Sequence, residues 1–325
     1  MMTRLPKAAA GILDEGVLCY VAVSTDHGPH LTPMVYAVHA GRLWVTTSRS
    51  SVKARAWRAS PGVAGMVRHG DRAVIFRGKV STYDALDPLS WPGAVATAPR
   101  LAAAGTKFSL KNARFFAGYA VDARRIPLSW TPPGRVFASI RLTAGRVLEV
   151  KRGTVGPGWG EWPTGVSYRR EFRTRPASTG RWAPATVRAK VGTGGVGAMA
   201  LEGSERALTV LPATWRRVDP EGVFDAVVSA SYLDLSNADR DAAAALTADR
   251  ASTWRASDMT GLLVQGRAEL YSPSATTRGR RALAERIDGE GRDGIMALVR
   301  LRPDRAVWWR GWTSGTVTAM SGAAS

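Results

Sequence analysis

The sequence is nearly devoid of cysteine. Cys19 stands alone among 325 residues, so an intrachain disulfide and any multi-thiolate zinc or iron–sulfur site are excluded. Its setting, Val17-Leu18-Cys19-Tyr20-Val21, suits a buried inert thiol rather than a nucleophile. No apolar run approaches the roughly 18 residues that a membrane-crossing helix needs. The opening Met1-Met2-Thr3-Arg4-Leu5-Pro6-Lys7 lacks the long apolar core and small-residue cleavage site of a secretory signal, so the expected location is the cytoplasm, with no membrane partner. There is no nucleophile-elbow signature with a Ser/His/Asp order. The glycine-rich stretch 192–197 lacks the Lys-Ser/Thr of a phosphate-binding P-loop.

Acidic residues are also scarce: 26 against 45 basic ones, for a net charge of +19. Such a balance is the footprint of nucleic-acid binding when it is clustered. Here only seven of the cations are lysines, and the arginines are scattered singly or in pairs. No basic run of five, helix-turn-helix, zinc finger or RNA-recognition signature accompanies them, so nucleic acid is not expected as the main ligand.

What is present is core-forming material. Hydrophobic residues make up 45% and aromatics 8% of the chain, which excludes a disordered tail. The length suggests about two domains of roughly 150 residues each. The first third reads as a meander of short strands at 17–25, 31–38 and 42–48, then a helix at 51–60 stopped by Pro61-Gly62, then strands at 63–68 and 73–82. Six prolines break up residues 84–135, where a helix is expected over 107–118. Strands resume at 136–142 and 147–150. Residues 153–197 collect Gly, Pro, Trp and Arg without period and read as a connecting arm between domains at 1–152 and 198–325.

The second domain echoes the first in order. Leu31-Thr32-Pro33 matches Val210-Leu211-Pro212, and Trp57-Arg58-Ala59-Ser60 matches Trp254-Arg255-Ala256-Ser257. Ile75-Phe76-Arg77-Gly78-Lys79 matches Leu263-Val264-Gln265-Gly266-Arg267, Ile140-Arg141-Leu142 matches Val299-Arg300-Leu301, and Lys151-Arg152-Gly153 matches Trp309-Arg310-Gly311. The order predicts an internal duplication, with an added helix over 232–246.

The segment most able to carry chemistry is a strand ending in Thr46-Thr47-Ser48, followed by Ser51 and Lys53 at a helix start. Hydroxyls, an amine and free helix N–H groups outline a phosphate site, to which Arg49 or Arg55 could add a planar fork. The same hydroxyls are also what an ordinary helix cap requires. His27-x-x-His30 brackets a turn; a proton donor, a haem or metal ligand and simple solvation all suit that place, and solvation is the expectation. The acidic pairs Asp14-Glu15, Asp239 with Asp241, and Glu290 with Asp293 read as solvated.

The run Gly28-Pro29-x-x-x-Pro33, then Gly41-Arg42-Leu43-Trp44-Val45-Thr46-Thr47, then Ser51-Val52-Lys53 before Pro61-Gly62-Val63, resembles the pyridoxamine 5′-phosphate oxidase-like FMN-binding split β-barrels. The resemblance is good over 10–83 and fainter over 136–150. It implies a mainly β fold: two tandem flavin-binding split barrels with short helices, forming an intrachain pseudo-dimer, with a homodimer as a further association. It also implies that Thr46, Thr47 and Ser48 line the flavin ring and ribityl chain, that Thr32, Pro33 and Met34 border the ring, and that Ser51 and Lys53 hold the FMN phosphate. Arg250 is expected where Lys53 stands in the second copy. The function so implied is an FMN-dependent oxidoreductase transferring hydride to or from a small-molecule substrate, with a deazaflavin or haem as alternative cofactors. Residues 31–38 lack the oxidase's own Arg and Lys, and Trp308-Trp309-Arg310-Gly311 does not reproduce its C-terminal signature, so pyridoxamine phosphate is not the expected substrate. The reading from another class is a cofactor-free barrel pair, a binding or scaffold protein whose arginines face an acidic or nucleic-acid partner.

Overall fold

A computed structural model describes residues 5–84, 86–87, 91–122, 134–169, 182–218, 222–250, 255–272 and 295–318. The first unit comprises α1 (Lys7–Glu15), β1 (Leu18–Thr25), β2 (Gly28–His39), β3 (Arg42–Ser48), α2 (Val52–Ala59), β4 (Gly62–His69) and β5 (Arg72–Tyr83). It continues through α3 (Trp91–Ala96), α4 (Ala98–Lys111), α5 (Ala113–Asp122), β6 (Arg135–Glu149) and β7 (Thr154–Trp159). The second unit comprises α6 (Ala185–Val191), β8 (Gly194–Glu202), β9 (Leu208–Val218), β10 (Val223–Ser229), α7 (Ala230–Asp234), β11 (Asp241–Arg250), β12 (Thr260–Tyr271), β13 (Met296–Arg310) and β14 (Thr313–Thr318).

Both sheets are antiparallel and share one topology. The order β3-β2-β1-β4-β5-β6-β7 is closed by β3 pairing with β6, and β10-β9-β8-β11-β12-β13-β14 by β10 pairing with β13. Each unit is therefore a six-stranded barrel with one extra edge strand, and closure leaves few unpaired edges. Local chemistry drives the meander. Short runs of β-branched and apolar residues form the strands, of which β9, β10 and β12 are buried on both faces, and Ala40 (φ 49°) with Gly41 (φ 70°) forms the tight two-residue turn between β2 and β3.

The duplication is visible in the register. β5 and β12 carry the same bulge, at Arg77/Gly78 and Gln265/Gly266, inside the matched pentapeptides. A Cβ on Gly78 would lie 2.7 Å from the Arg141 carbonyl oxygen, and one on Gly266 would press on the Arg302 carbonyl oxygen. Glycine is required at both corners because neighbouring backbone occupies the space. Gly266→Ala should lower stability by about 3 kcal/mol, read by urea unfolding; a loss below about 0.5 kcal/mol, the size of an ordinary surface change, would show that this close approach is not what excludes a side chain.

Alignment through the bulges places Pro33 on Pro212 and Thr32 on Leu211, as expected, but Arg141 falls on Arg302 rather than on Arg300. Trp57 lies in α2, whereas the matched tetrapeptide follows β11, with Trp254 outside the described residues. The expected helix over 232–246 is instead the short α7 followed by β11, whose alanine-rich run is zipped between β8 and β12. Tertiary pairing overrides helix propensity there. The arm is also shorter than expected, because β7 completes the first sheet and β8 already begins at Gly194. The helix expected over 107–118 is two helices, parted at Asn112, whose side chain donates to the Phe108 and Tyr36 carbonyls.

The barrels pack as a pseudo-dimer. One contiguous core unites Ala22, Leu31, Met66 and Ile75 of the first barrel with Leu211, Leu246 and Leu263 of the second. Two related hydrogen bonds cross the interface: Arg77 Nε donates to Leu208 O at 3.1 Å and Gln265 Nε2 to Pro29 O at 2.8 Å. The donors are equivalent positions before each bulge and the acceptors equivalent positions of β2 and β9, as an isologous interface demands.

Candidate functional site

A cavity of about 520 Å³ lies between the barrels, within the roughly 300–1,000 Å³ of small-molecule and cofactor sites. One wall comes from the first barrel: β2 (His30, Thr32, Pro33, Met34), the end of β3 (Thr46, Thr47, Ser48) and the start of α2 (Ser51, Lys53, Arg55). The facing wall comes from the second barrel, with Met259 before β12, Arg305 and Val307 on β13, and Trp312, Ser314 and Thr316 around the β13–β14 turn. No carboxylate is among the described lining residues.

The local sequence builds the Ser51–Lys53 end of the cavity. Ser51 caps α2, its Oγ accepting from Ala54 N at 3.1 Å and from Thr47 Oγ1 at 3.0 Å. Arg135 fixes the end of β3 by donating to Thr46 Oγ1 (3.0 Å) and Thr46 O (2.9 Å). Lys53 follows two residues after the cap and is only 3% exposed. Its Nζ donates to Thr32 O at 3.3 Å and contacts Thr32 Oγ1, and it makes no ion pair among the described residues. Burial pulls its pKa from 10.5 down to about 7, which the nearby Cys19 opposes only weakly. Burial likewise pushes the Cys19 thiol up to about 12, consistent with an inert thiol. Arg49 is turned to Asp84, which also meets Arg58, so of the two arginines proposed as forks only Arg55 lines the cavity.

The cavity thus gathers Thr32, Pro33, Met34, Thr46, Thr47, Ser48, Ser51 and Lys53, all eight first-barrel residues expected at the site. It does not include Arg250. That residue ends β11, exposed, because the α2-equivalent helix precedes β11 rather than following it. Counting two residues from the helix cap, as from Ser51 to Lys53, leads from Ser229 to Ser231.

The equivalent cleft of the second barrel is closed. Ser229 Oγ and Ser231 Oγ each donate to Gly153 O at 2.6 Å, and Tyr232 OH donates to Glu149 O at 2.8 Å. The β6–β7 turn of the first barrel therefore occupies the place that stays open around Ser51.

His30 and Arg305 are among the lining residues that escaped the sequence reading. His30 is not a solvated turn residue: Gly28 already opens β2, and His30 is 7% exposed, with Nδ1 buried and without a hydrogen-bond partner. Burial, then Lys53, Arg305 and Arg55, hold its pKa down near 3, so it is a neutral imidazole. The strand start at Gly28 was the available signal. Arg305 had none, because its approach depends on how the barrels dock.

Residues 7–89 match the family model for pyridoxamine 5′-phosphate oxidase. Over those residues the first barrel is similar to that family, and its closed antiparallel sheet has the split-barrel form. Solved structures similar to the chain include a FAD-binding protein from Mesorhizobium loti (19% identity, 45% of this chain and 96% of that one, TM-score 0.29). An F420 reductase is similar at 22% identity, covering 43% and 97% of the two chains, with a TM-score of 0.30. A pyridoxamine 5′-phosphate oxidase-related, FMN-binding protein from Nostoc punctiforme is similar at 15% identity, 41% and 75% coverage and a TM-score of 0.32. No curated protein matches the chain. With its twin, this split barrel forms a tandem pair whose cleft is walled by both copies.

The donor set suits a flavin. A buried amine without a counter-ion among the described residues, serine hydroxyls at a helix start and an uncompensated imidazole nitrogen together invite an anionic, hydrogen-bonding guest.

Proposed function

We propose that the inter-barrel cleft binds FMN and that the protein is an FMN-dependent oxidoreductase acting on a small molecule. The observation that carries this reading is Lys53: an amine 3% exposed, two residues past the Ser51 cap, with no carboxylate partner and no acid beside it in the cavity among the described residues. Burying such a cation is unfavourable unless a ligand brings the opposite charge.

In this reading Ser51 and Lys53 hold the phosphate, with Arg55 at the rim. Thr46, Thr47 and Ser48 give hydrogen bonds to the ribityl chain and ring, with Thr46 held in place by Arg135. Thr32, Pro33 and Met34 border the ring, and Val307 of the facing barrel helps exclude water. A bound flavin supplies two-electron chemistry, taking up or giving a hydride. The chain supplies burial, orientation and positive charge that favours an anionic reduced ring.

The test is an absorption spectrum of the purified protein, with extraction and mass measurement of any chromophore, followed by titration with FMN, a deazaflavin and haem. A flavin spectrum is expected, at one equivalent per chain, because Ser229 and Ser231 already hold the Gly153 carbonyl in the second cleft. Two equivalents would contradict the closed cleft. Protein that is colourless and gains no visible absorption with any of the three would overturn the cofactor reading.

A further inference from the structure

The two-fold pairing of the barrels gives the open cleft an internal control. The residue before the bulge glycine is Arg77 in the first barrel and Gln265 in the second, and each donates to a carbonyl of the opposite barrel. On the side of the closed cleft Arg77 is held within the interface: its NH2 group donates to Thr209 Oγ1 at 3.0 Å and its guanidinium lies 4.6 Å from the centre of the Trp162 ring. Thr209 in turn donates to Leu235 O. The polar groups there satisfy one another.

Around the open cleft the same positions are altered together. The counterpart of Thr209 is His30, whose Nδ1 is buried and unpartnered. The counterpart of Arg77 is Gln265, which keeps the carbonyl contact through Nε2 and turns Oε1 toward Arg305 NH1 at 3.3 Å. Arg305 occupies the strand position filled by Ala144 in the first barrel. A guanidinium has thus shifted by one strand, from a consumed position to the cavity wall, where it makes no ion pair among the described residues.

We infer that Arg305 and His30 form the subsite that recognises an anionic oxygen group, a carboxylate or phosphate ester, on the small-molecule substrate. Calling the ligand a substrate rests on the flavin reading above; the anion site itself does not. Arg305 supplies the charge and a planar fork, pre-oriented by Gln265. His30 supplies a hydrogen bond without charge, since burial and the surrounding cations Lys53, Arg305 and Arg55 keep it neutral. The two anchors for negative charge come from opposite barrels, Lys53 from α2 and Arg305 from β13, so the cleft suits two anionic ends: the cofactor's phosphate and the substrate's own group.

The test is calorimetric titration of the full chain, as purified and after flavin loading, with benzoate and phenyl phosphate as probes and benzamide as the uncharged control. One or both anions should bind, and their preference identifies the group; benzamide should bind at least tenfold more weakly. Arg305→Met should weaken anion binding at least tenfold while changing flavin affinity less than threefold. Arg305→Lys should restore part of the loss, and His30→Asn should weaken the anions several-fold. Equal binding of benzamide, or an Arg305→Met variant that binds the anions normally or loses flavin as severely as the anions, would overturn the subsite. Absence of flavin binding would overturn the cofactor reading alone, and the titrations on the protein as purified would then decide the anion site by the same criteria.

Discussion

Replacing Lys53 by methionine is expected to push binding and stability in opposite directions. Removal of a charge-assisted contact to phosphate should cost about 2–3 kcal/mol of flavin affinity, roughly 30- to 160-fold in Kd. The cofactor-free protein should meanwhile gain stability, because the folded state no longer buries an unpaired amine that is 3% exposed. The pH dependence has a definite sign. The folded pKa of Lys53 lies near 7, below its ordinary 10.5. Between those values the unfolded chain binds a proton that the folded chain does not, so wild-type stability rises with pH across this window. The advantage of the methionine variant is therefore absent above about pH 10.5, grows as the pH falls toward 7, and is constant below. Flavin affinity should follow the protonated amine: it declines as the pH rises above 7, by at most tenfold per unit, and Lys53→Met should flatten that decline. Fluorescence titrations of FMN from pH 6 to 9 and melting curves of the cofactor-free protein read both effects. A variant that binds FMN normally, or that melts lower at neutral pH, would remove Lys53 from the phosphate site.

Asp225→Ala is expected to be the most destabilising single change in the second barrel, at about 3–5 kcal/mol. Asp225 (1% exposed) and Arg300 (4% exposed) face each other on β10 and β13, with Nε to Oδ1 and NH2 to Oδ2 both at 2.7 Å. Truncating the carboxylate removes two short charge-assisted hydrogen bonds from a buried guanidinium. The first barrel meets the same place differently: Trp44 and Ser139 are the equivalent pair, and Trp44 stacks on Phe137 and Tyr83 at 5.2 and 5.7 Å. An apolar solution is thus compatible with this topology, and the double change Asp225→Leu with Arg300→Met should recover most of the loss. Urea unfolding of the two single variants and the double variant measures the coupling. Asp225→Ala costing no more than an exposed substitution would mean that the pair contributes nothing to the second barrel. Flavin binding should be unaffected where the variants remain folded, since neither residue lines the cavity.

Much of the first barrel was legible because its signals are local. Alternation, β-branched runs and the Ala40-Gly41 turn specify β1 to β3, and a serine two residues before a lysine at a helix start outlines the proposed anion site within one short segment. All eight first-barrel residues expected there do line the cavity. The duplication was legible where a backbone demand repeats, as at Gly78 and Gly266, and illegible where it rested on composition. The Trp-Arg-Ala-Ser repetition misplaced Arg250 because a side-chain match carries no information about strand order, and the alanine-rich β11 looked helical because its strand pairing lies outside the window that propensity samples.

The amino-acid sequence by itself determined the strand-rich fold, the paired units and the Ser51–Lys53 cradle, each specified by residues close together in the chain. Only the tertiary structure decided that one cleft is open and its twin shut, that His30 is buried and neutral, and that Arg305 joins a site built by residues far earlier in the chain. Those outcomes depend on the docking of two nearly equivalent barrels. There a carbonyl at Gly153 or a guanidinium at Arg305 fills or leaves space according to contacts between distant segments, which no local pattern encodes.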